Sequence, residues 1–195
     1  VNLLLSGPSA GVGAMQHLAS GIGENNLVSM EIGGTSCDVM LMHGGRVAIT
    51  DSLSVNDYDL VTPSVDIHTV GAGGGTISGI DGAGLMYAGP EGAGARPGPA
   101  AYGYGGTRPT VTDAHLVLGR MRPGPYAGGS VSLDMSLAEQ ALDTEIATPA
   151  GISRTEAAAG LIRIVEQNLL HAVERISIQR GYNPGRFMLI ACGGA

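Results

Sequence analysis

The sequence contains no lysine, so all ten basic side chains among its 195 residues are arginines. A P-loop grips phosphate with a lysine, and Schiff-base or pyridoxal-phosphate chemistry needs a lysine amine, so these enzyme classes are excluded. The net charge is −7, and the arginines are scattered without a basic stripe, which argues against a nucleic-acid surface. No apolar run approaches the roughly 20 residues of a membrane helix, so we expect no membrane contact.

Cysteine is scarce, since only Cys37 and Cys192 occur, each beside a glycine-rich turn. No signal peptide is recognisable, so we expect two reduced, buried thiols in a cytoplasmic protein rather than a disulfide. The chain begins with Val and ends abruptly in Gly-Gly-Ala. This favours a piece of a longer polypeptide.

What the sequence has in excess is glycine, with 33 residues and no collagen-like period, alongside 44% hydrophobic residues. That apolar content is ample for a packed core. From Gly71 to Gly129 glycine and proline are dense, and charge is low. The segment therefore predicts ordered functional loops without regular secondary structure.

Regular elements are expected on either side of these loops. The pattern predicts a small-residue helix over about 9–19, a three-stranded antiparallel meander over 27–32, 37–42 and 46–50, and a buried strand over 187–192. A long amphipathic helix begins at a capping box of Ser153 and Glu156, and Gly181 marks its stop.

Two glycine patterns that are known from other enzyme classes, the nucleophile elbow and the dinucleotide fingerprint, are only weakly matched or not matched here. Gly7-Pro-Ser-Ala-Gly11 matches the nucleophile elbow, but only six residues precede it, whereas an α/β-hydrolase needs several strands there. The dinucleotide fingerprint G-x-G-x-x-G does not occur, because "GAGGGT" fails at its last position. A helix-entry turn accounts for the first motif.

A third motif, "MEIGGTSCDVMLM", places a glycine hairpin between two strands. The turn Gly33-Gly34-Thr35-Ser36 offers backbone N–H groups and hydroxyls that can hold phosphate oxygens. Glu31 and Asp38 flank it and would repel phosphate unless a divalent cation such as Mg²⁺ mediates. A plain glycine hairpin with a capping aspartate remains the alternative at this point.

Two D-x-H pairs, Asp66/His68 and Asp113/His115, would each put two ligands on one face if their segments were extended. We favour substrate or carbonyl-orienting roles for Asp66 and His68 over a transition-metal site, with ordinary loop hydrogen bonding as the alternative. The nearby run Gly73-Gly74-Gly75 would allow close approach of a phosphoryl group or a flat ring.

The order of elements resembles the second half of an actin-like ATPase, and a more specific resemblance covers nearly the whole chain. The segments "SGPSAGVGA", "GGTSCDV", "DIHTVGAGGGTI", "GPEGAGARPGPAAYGYGGTRPTVTDA" and "RGYNPGRFMLIACGGA" are similar to the hydantoinase A/5-oxoprolinase family. The resemblance implies an α/β fold, the actin-like, ribonuclease-H-type ATPase half, with a mixed sheet, flanking helices and a glycine-rich insertion. It also implies that Gly193 and Gly194 contact adenosine.

The same resemblance implies the activity and the partners. It suggests an ATP- and Mg²⁺-dependent hydrolase that opens cyclic amides of the hydantoin or 5-oxoproline type by phosphorylating the carbonyl oxygen. From their positions and charges we assign Asp66 and His68 as catalytic, Gly73–Gly75 and Asp113 to a substrate or phosphoryl loop, and Glu31 and Asp38 to the metal. A second subunit or fused hydantoinase B-type domain would finish the reaction.

Alternatives remain open at this point: the ATPase subunit of a ketone carboxylase, a non-catalytic nucleotide-responsive scaffold, and an acetate- or sugar-kinase-like enzyme. The family usually has Asp in place of Glu31 and commonly Asn in place of His115. Its first phosphate motif lies in an N-terminal half that this sequence lacks, so we expect the isolated chain to be inactive. We divide the chain into a hairpin meander (1–70), a glycine-rich insertion (71–150), and a helix with the adenosine strand (151–195).

Overall fold

The structure, a computed structural model, describes residues 6–55, 58–61 and 63–194 and is a mixed α/β arrangement. Its helices are α1 Ser6–Ile22, α2 Val111–Val117, α3 Met135–Leu142, α4 Thr148–Ala150 and α5 Arg154–Ile176. A π-helical segment, Asp143–Ala147, joins α3 to α4. No helix in the described ranges combines the length and apolarity needed to cross a bilayer.

The strands run from the N-terminal third to the end of the chain. They are β1 Leu27–Ile32, β2 Cys37–His43, β3 Arg46–Val47, β4 Ile49–Thr50, β5 Leu53–Val55, β6 Tyr58–Leu60, β7 Ser64–Val65, β8 Ile67–Val70, β9 Thr76–Ile80, β10 Met86–Gly92, β11 Gly124–Tyr126, β12 Val131–Leu133 and β13 Met188–Gly193. One five-stranded sheet has the order β13-β1-β2-β3, with β8 also paired to β2.

The predicted meander is present but shorter than expected. β2 and β3 pair antiparallel, with Met42 opposite Val47. Ile49 leaves this sheet and instead pairs with Val65, because β4 and β7 form a separate two-stranded sheet. The prediction of one strand over 46–50 was therefore wrong at its end.

The last strand was predicted to be buried, and that prediction was wrong. Most residues of β13 are exposed in the described chain, including Met188 and Leu189. In the sheet order β13 has only β1 beside it, and an edge strand keeps much of its surface open. Cys192 lies on this strand and is exposed, so it is not the buried thiol that we expected, whereas Cys37 is buried.

The residues divide into two compact units. Unit 1 comprises Val1–Glu31, Asp38–Thr69 and Leu170–Gly193, and unit 2 comprises Ile32–Cys37, Val70–Leu169 and Gly194–Ala195. These units differ from the three segments expected from the sequence, which describe the order of motifs along the chain and stay a prediction.

The core of unit 1 joins the small-residue helix α1 to the sheet. Met15 and Ala19 of α1 pack with Leu27, Met40 and Met42, all at most 7% exposed. A Cβ on Gly11 would lie 2.8 Å from Met40 Cε, so a larger residue there would require the end of the Met40 side chain to shift. Burying each large apolar side chain of this kind contributes about 1.5–3 kcal/mol.

Unit 2 contains the glycine-rich segment, which is far more regular than the sequence suggested. β9 and β10 form an antiparallel hairpin with Ile80 opposite Met86, and α2, β11 and β12 follow. Glycine within these strands serves packing: a Cβ on Gly79 would lie 2.9 Å from Tyr87 Oη. The expectation of irregular loops over 71–129 was wrong for this reason.

The N-terminal part of α5 supplies much of the core of unit 2. Ala157, Ala158, Leu161 and Val165 are buried there together with Leu142. The capping box is confirmed, because Ser153 N donates to Glu156 Oε2 at 2.9 Å and Glu156 N donates to Ser153 Oγ at 3.2 Å.

Candidate functional site

In unit 2 the glycine hairpin at 33–36 is bonded to the glycine run at 73–75. Gly33 N donates to Ser36 O at 2.9 Å and closes the turn. Gly74 N then donates to Gly33 O at 3.0 Å, and Gly75 N donates to Gly34 O at 2.6 Å. The two glycine segments, 40 residues apart in the sequence, therefore form one backbone joint.

This joint requires glycine on the side of the run. A Cβ on Gly73 would lie 2.5 Å from Gly33 O, and one on Gly75 would lie 2.8 Å from Gly34 O. Side-chain carbons do not approach backbone atoms this closely, so any substitution must move the hairpin. The run thus fixes the position of the hairpin.

The hydrogen bonds also show which amides can receive a ligand. The N–H groups of the run are occupied, because Gly73 N donates to Thr76 Oγ1 at 2.7 Å and the next two bond to the hairpin. In the described part of the chain, the N–H groups of Gly34, Thr35 and Ser36 have no backbone acceptor outside the sheet ladders. Successive N–H groups of this kind form an anion-binding concavity.

A cavity of about 380 Å³ opens beside the joint, within the roughly 300–1,000 Å³ typical of small-molecule pockets. Its lining combines glycine backbone with apolar and aromatic side chains. The residues are Gly34, Gly74, Gly75, Gly94, Pro99, Tyr102, Thr112, His115, Met121, Tyr126, Ala127, Val131, Leu133 and Gly194. We call this the unit 2 pocket.

The helix α2 is anchored to the joint through Thr112. Its backbone N–H and its Oγ1 both donate to Gly74 O, each at 2.9 Å. Thr110 caps the helix in a capping box with Asp113. Thr112 and His115, three residues apart and therefore on one face of the helix, both line the unit 2 pocket.

Asp113 is fully buried and accepts four hydrogen bonds. Its Oδ1 accepts from Ala101 N at 2.8 Å, and its Oδ2 accepts from Ala100 N at 3.2 Å and from Thr110 N and Thr110 Oγ1 at 2.8 Å each. Burial raises the pKa of this carboxyl, and the four donors oppose the rise. The carboxylate holds the loop before α2 in place; its predicted part in a substrate or phosphoryl loop stays a prediction.

His115 does not form an extended ligand pair with Asp113, because residues 111–117 are helical and side chains two apart on a helix diverge. Burial and the charge of Arg120 lower the pKa of His115, against a smaller opposing effect of Glu166. Its Nδ1 is buried and has no hydrogen-bond partner in the described structure. The imidazole is therefore neutral at pH 7.

Glu31 and Asp38 lie in unit 1, on neighbouring strands. Counting outward from the Gly33–Ser36 pair places Glu31 opposite Asp38 in the antiparallel ladder. Asp38 Oδ1 accepts from Thr69 Oγ1 at 2.5 Å, and Glu31 lines a second cavity, of about 240 Å³, with Ser29 and Cys192. Like charges facing each other across a ladder are unfavourable, so a cation would be stabilising here.

Across the described ranges, no cluster of three or more His, Cys, Asp or Glu is arranged to hold a metal ion by itself. Mg²⁺ in nucleotide sites keeps several waters and is bound through one or two carboxylates plus the phosphates of the nucleotide. The assignment of Mg²⁺ to Glu31 and Asp38 stays a prediction.

The predicted catalytic pair, Asp66 and His68, also belongs to unit 1. Asp66 is buried and forms an ion pair with Arg180 through Oδ2 and Nη1. Burial, with a contribution from Arg175, lowers the pKa of His68. The Asp66 carboxylate is thus paired with the Arg180 guanidinium, and the His68 imidazole is neutral at pH 7. Their catalytic role stays a prediction.

The two predicted adenosine glycines end the last strand. Gly193 closes β13 with a φ of 106°, a conformation that favours glycine, and Gly194 lines the unit 2 pocket. The structure therefore brings Gly34, Gly74, Gly75 and Gly194 to one cavity.

Sequence reasoning missed the side chains that give this pocket its walls: Tyr102, Thr112, Met121, Tyr126 and Leu133. One signal was available, because Thr110-Val-Thr-Asp113 is a capping-box pattern. Recognising a helix start at Thr110 would have placed Thr112 and His115 on one face.

Comparison with known proteins gives consistent matches. The family model described as Hydantoinase/oxoprolinase matches residues 1–195. The chain is 42% identical over 195 residues to the caprolactamase subunit alpha of Pseudomonas jessenii, covering 100% of this chain and 28% of that protein. It is 41% identical over 191 residues to the acetophenone carboxylase gamma subunit of Aromatoleum aromaticum, covering 97% and 26%.

Among solved structures, the ATP-dependent caprolactamase from Pseudomonas jessenii matches with a TM-score of 0.90 and 42% identity. The match covers 97% of this chain and 28% of that chain. The chain thus spans about a quarter of the length of these relatives.

Proposed function

The chain belongs to the hydantoinase/oxoprolinase family, and from this premise we propose that it is the nucleotide-binding part of an enzyme that uses ATP to activate a small carbonyl compound. The favoured reaction is the opening of a cyclic amide after phosphorylation of its carbonyl oxygen. The actin-like ATPase fold is part of this proposal. A cytoplasmic location stays a prediction.

The observation that carries the proposal is the backbone joint beside the unit 2 pocket. Gly34 lines the pocket and its N–H has no backbone acceptor outside the sheet ladders, so it suits a phosphate oxygen, and the apolar and aromatic wall suits a nucleoside. The residues that line this pocket include no lysine or arginine, so within the pocket backbone amides and a divalent cation would balance the charge of the phosphates. We therefore place the nucleotide in the unit 2 pocket, with its phosphates at Gly34 and its nucleoside towards Gly194.

The chemistry begins with phosphoryl transfer to the carbonyl oxygen of the substrate. This makes the carbonyl carbon, a weak electrophile in an amide, more reactive. The carbonyl oxygen of the substrate attacks the γ-phosphorus, the bond to the bridging oxygen breaks, and ADP leaves. The phosphorylated carbonyl carbon is then open to water, which leads to cleavage of the C–N bond and release of phosphate. The hairpin amides would hold the transferring group in line, and Mg²⁺ at Glu31 and Asp38 would neutralise developing charge.

The test uses the complete polypeptide together with any partner subunit. Gly73→Ala should weaken ATP binding by about tenfold or more, because its Cβ would meet Gly33 O at 2.5 Å and displace the hairpin. Gly82→Ala is the matched control, since nothing lies within 4 Å of a Cβ there. Equal ATP affinity in both variants would remove the hairpin from the nucleotide site.

Activity is tested by release of ADP and phosphate with and without a panel of lactams. We expect nucleotide hydrolysis to depend on the lactam and to yield the ring-opened amino acid. Domain closure on ATP without turnover in any condition would instead support the non-catalytic scaffold.

The second candidate is a ketone carboxylase subunit, and it is favoured by the similarity to the acetophenone carboxylase gamma subunit, which is nearly as high as that to the caprolactamase subunit. Both reactions activate a carbonyl oxygen. ATP hydrolysis that requires bicarbonate as well as a ketone, with incorporation of labelled carbon into an acid, would select the carboxylase.

A further inference from the structure

Two tyrosines line the unit 2 pocket, and their hydroxyl groups differ in the partners that the protein provides. Tyr126 Oη accepts a hydrogen bond from Arg122 N at 3.1 Å. Tyr102 Oη has no hydrogen-bond partner among the residues that the structure describes. It is also not one of the described polar atoms that the protein covers completely, so a molecule in the pocket can reach it. Tyr102 therefore presents an accessible hydroxyl with unused hydrogen-bonding capacity.

The ring of Tyr102 is held in place by its neighbours. Tyr102 N donates to Pro99 O at 3.0 Å. A Cβ on Gly98 would lie 2.8 Å from Tyr102 Cδ2, so the edge of the ring packs directly on the backbone of the loop. Tyr104 packs edge-on against the same ring, with centroids 6.3 Å apart. A hydroxyl on a ring that is already ordered loses little conformational entropy when it binds a ligand.

Tyr102 lies on the apolar wall of the pocket and is separated from the glycine joint. Ala93 N donates to Gly75 O at 2.8 Å, and Gly98 N donates to Ala93 O at 3.1 Å. These two hydrogen bonds lie between the joint and the loop on which the Tyr102 ring packs. The ring belongs to one apolar cluster with three other residues that line the pocket: Met121, Val131 and Leu133. A ligand group at Tyr102 is thus the part of the ligand that contacts this wall.

The chemistry of the phenol indicates what that ligand group is. Burial, with a contribution from Asp113, raises the pKa of Tyr102, so the hydroxyl keeps its proton at neutral pH. A protonated phenol donates one hydrogen bond and carries no charge. The nucleoside of a nucleotide offers neutral acceptors for such a donor, since the base carries ring nitrogens and the ribose carries hydroxyls. The phosphates, in contrast, are placed at Gly34 by the proposed function.

We propose that Tyr102 Oη donates a hydrogen bond to the nucleoside of the bound nucleotide, at a ring nitrogen of the base or at a ribose hydroxyl. The inference rests on the proposed function, because it needs the nucleotide in the unit 2 pocket. It adds a specificity-determining side chain, which strengthens the preference of the site for a nucleoside triphosphate over a triphosphate that has no nucleoside.

The experiment replaces Tyr102 by phenylalanine in the complete protein, which removes the hydroxyl and keeps the ring. We expect Tyr102→Phe to bind Mg-ATP about three- to tenfold more weakly, the range of a single hydrogen bond. Inorganic tripolyphosphate should compete with ATP equally well in both proteins. The melting temperature without nucleotide should stay the same, because the hydroxyl has no partner among the described residues.

Tyr182→Phe is the matched control. The Tyr182 hydroxyl also has no hydrogen-bond partner in the described part of the chain, and its ring is likewise packed against another aromatic ring, that of Phe187. Tyr182 belongs to unit 1 and does not line the unit 2 pocket. This variant should therefore bind ATP and tripolyphosphate as the native protein does.

Nucleotide analogues distinguish the two acceptors. The 1-, 3- and 7-deaza forms of ATP each lack one ring nitrogen, and 2′-deoxy-ATP and 3′-deoxy-ATP each lack one ribose hydroxyl. The analogue without the acceptor should bind the native protein about three- to tenfold more weakly than ATP and should bind Tyr102→Phe as tightly as ATP does. A deaza analogue with this behaviour places the hydroxyl at the base, and a deoxy analogue places it at the ribose.

Three outcomes would overturn the inference. Unchanged ATP affinity in Tyr102→Phe would show that the hydroxyl does not contact the nucleotide. An equal loss of affinity for ATP and for tripolyphosphate would mean that the substitution disturbs the phosphate site. A raised KM for a lactam with unchanged ATP affinity would place the hydroxyl at the acceptor.

Gly73→Ala separates this failure from failure of the proposed function. Displacement of the hairpin in that variant should weaken the binding of both ATP and tripolyphosphate. If Gly73→Ala has this effect and Tyr102→Phe leaves ATP affinity unchanged, only the inference fails. If neither variant changes ATP affinity, the nucleotide does not lie in the unit 2 pocket, and the proposed placement fails together with the inference.

Discussion

Replacing Asp113 by asparagine is the sharpest test of how the pocket is held. In the native protein every partner of the carboxylate is a donor: three backbone N–H groups and the Thr110 hydroxyl. If the amide oxygen takes the place of Oδ2, the amide nitrogen faces Ala101 N, now 2.8 Å away as donor against donor. The substitution thus leaves one buried N–H unpaired and makes the other bonds weaker.

The magnitude follows from these contacts. An unpaired buried donor costs about 1–3 kcal/mol, and exchanging a charged for a neutral acceptor loses about 1 kcal/mol at each remaining bond. The neutral amide is cheaper to bury than the carboxylate whose pKa burial raises, and this offsets part of the loss. We expect the free energy of local opening of residues 98–113 to fall by about 2–4 kcal/mol.

Hydrogen–deuterium exchange on the complete protein measures this quantity locally. A loss of about 2–4 kcal/mol corresponds to exchange about 30- to 1,000-fold faster at the amides of Ala100, Ala101 and Thr110. Asp81→Asn is the control, since Asp81 Oδ1 accepts from Ala83 N and Leu85 N at 2.9 Å in an exposed turn. If exchange in Asp113→Asn rises no more than in the control, the four hydrogen bonds do not hold the segment and the reasoning is refuted.

Three further predictions concern Glu31, His68 and His115. Glu31→Gln should weaken Mg²⁺-dependent turnover by about tenfold or more, whereas Glu31→Asp should retain it; an unchanged magnesium titration in Glu31→Gln would return Glu31 to an ordinary strand residue. His68→Ala should lower lactam-dependent ATP hydrolysis and leave ATP affinity intact, and the reverse pattern would contradict an acceptor-side role. The pKa of His115 is below its ordinary 6.5, so the unfolded chain binds more protons than the folded one and stability should fall as pH drops below about 6.5, by up to about 1.4 kcal/mol per pH unit. His115→Gln should flatten this dependence in unfolding experiments between pH 7.5 and 5.5, while His68, whose pKa is also lowered, retains its own share.

The sequence predicted elements whose signals are local. The hairpin at Gly33–Ser36 and the capping box of Ser153 and Glu156 depend on neighbours along the chain, and both are present. The family followed from several short motifs in order, and the comparisons confirm it.

The regular structure of the glycine-rich segment could not be predicted, because its cause is not local. Gly79 lies in a strand where a side chain would clash with Tyr87 on the next strand. Gly73 packs on the carbonyl of Gly33, which is 40 residues away in the sequence. From composition alone, such glycines are expected to lie in loops.

The exposure of Cys192 also could not be predicted. It depends on the place of β13 in the sheet order, which no property of "FMLIAC" reveals.

The joint between Gly33–Gly34 and Gly74–Gly75 is made by main-chain atoms alone. The geometry of the joint therefore does not depend on the side chains that shape the pocket. The apolar wall is built on other segments, with Tyr126, Val131 and Leu133 carried by the β11 and β12 hairpin. Libraries that vary Tyr126 and Val131 would change the wall of the pocket and leave the main-chain atoms of the joint unaltered. The pocket can therefore be diversified without co-varying the glycines.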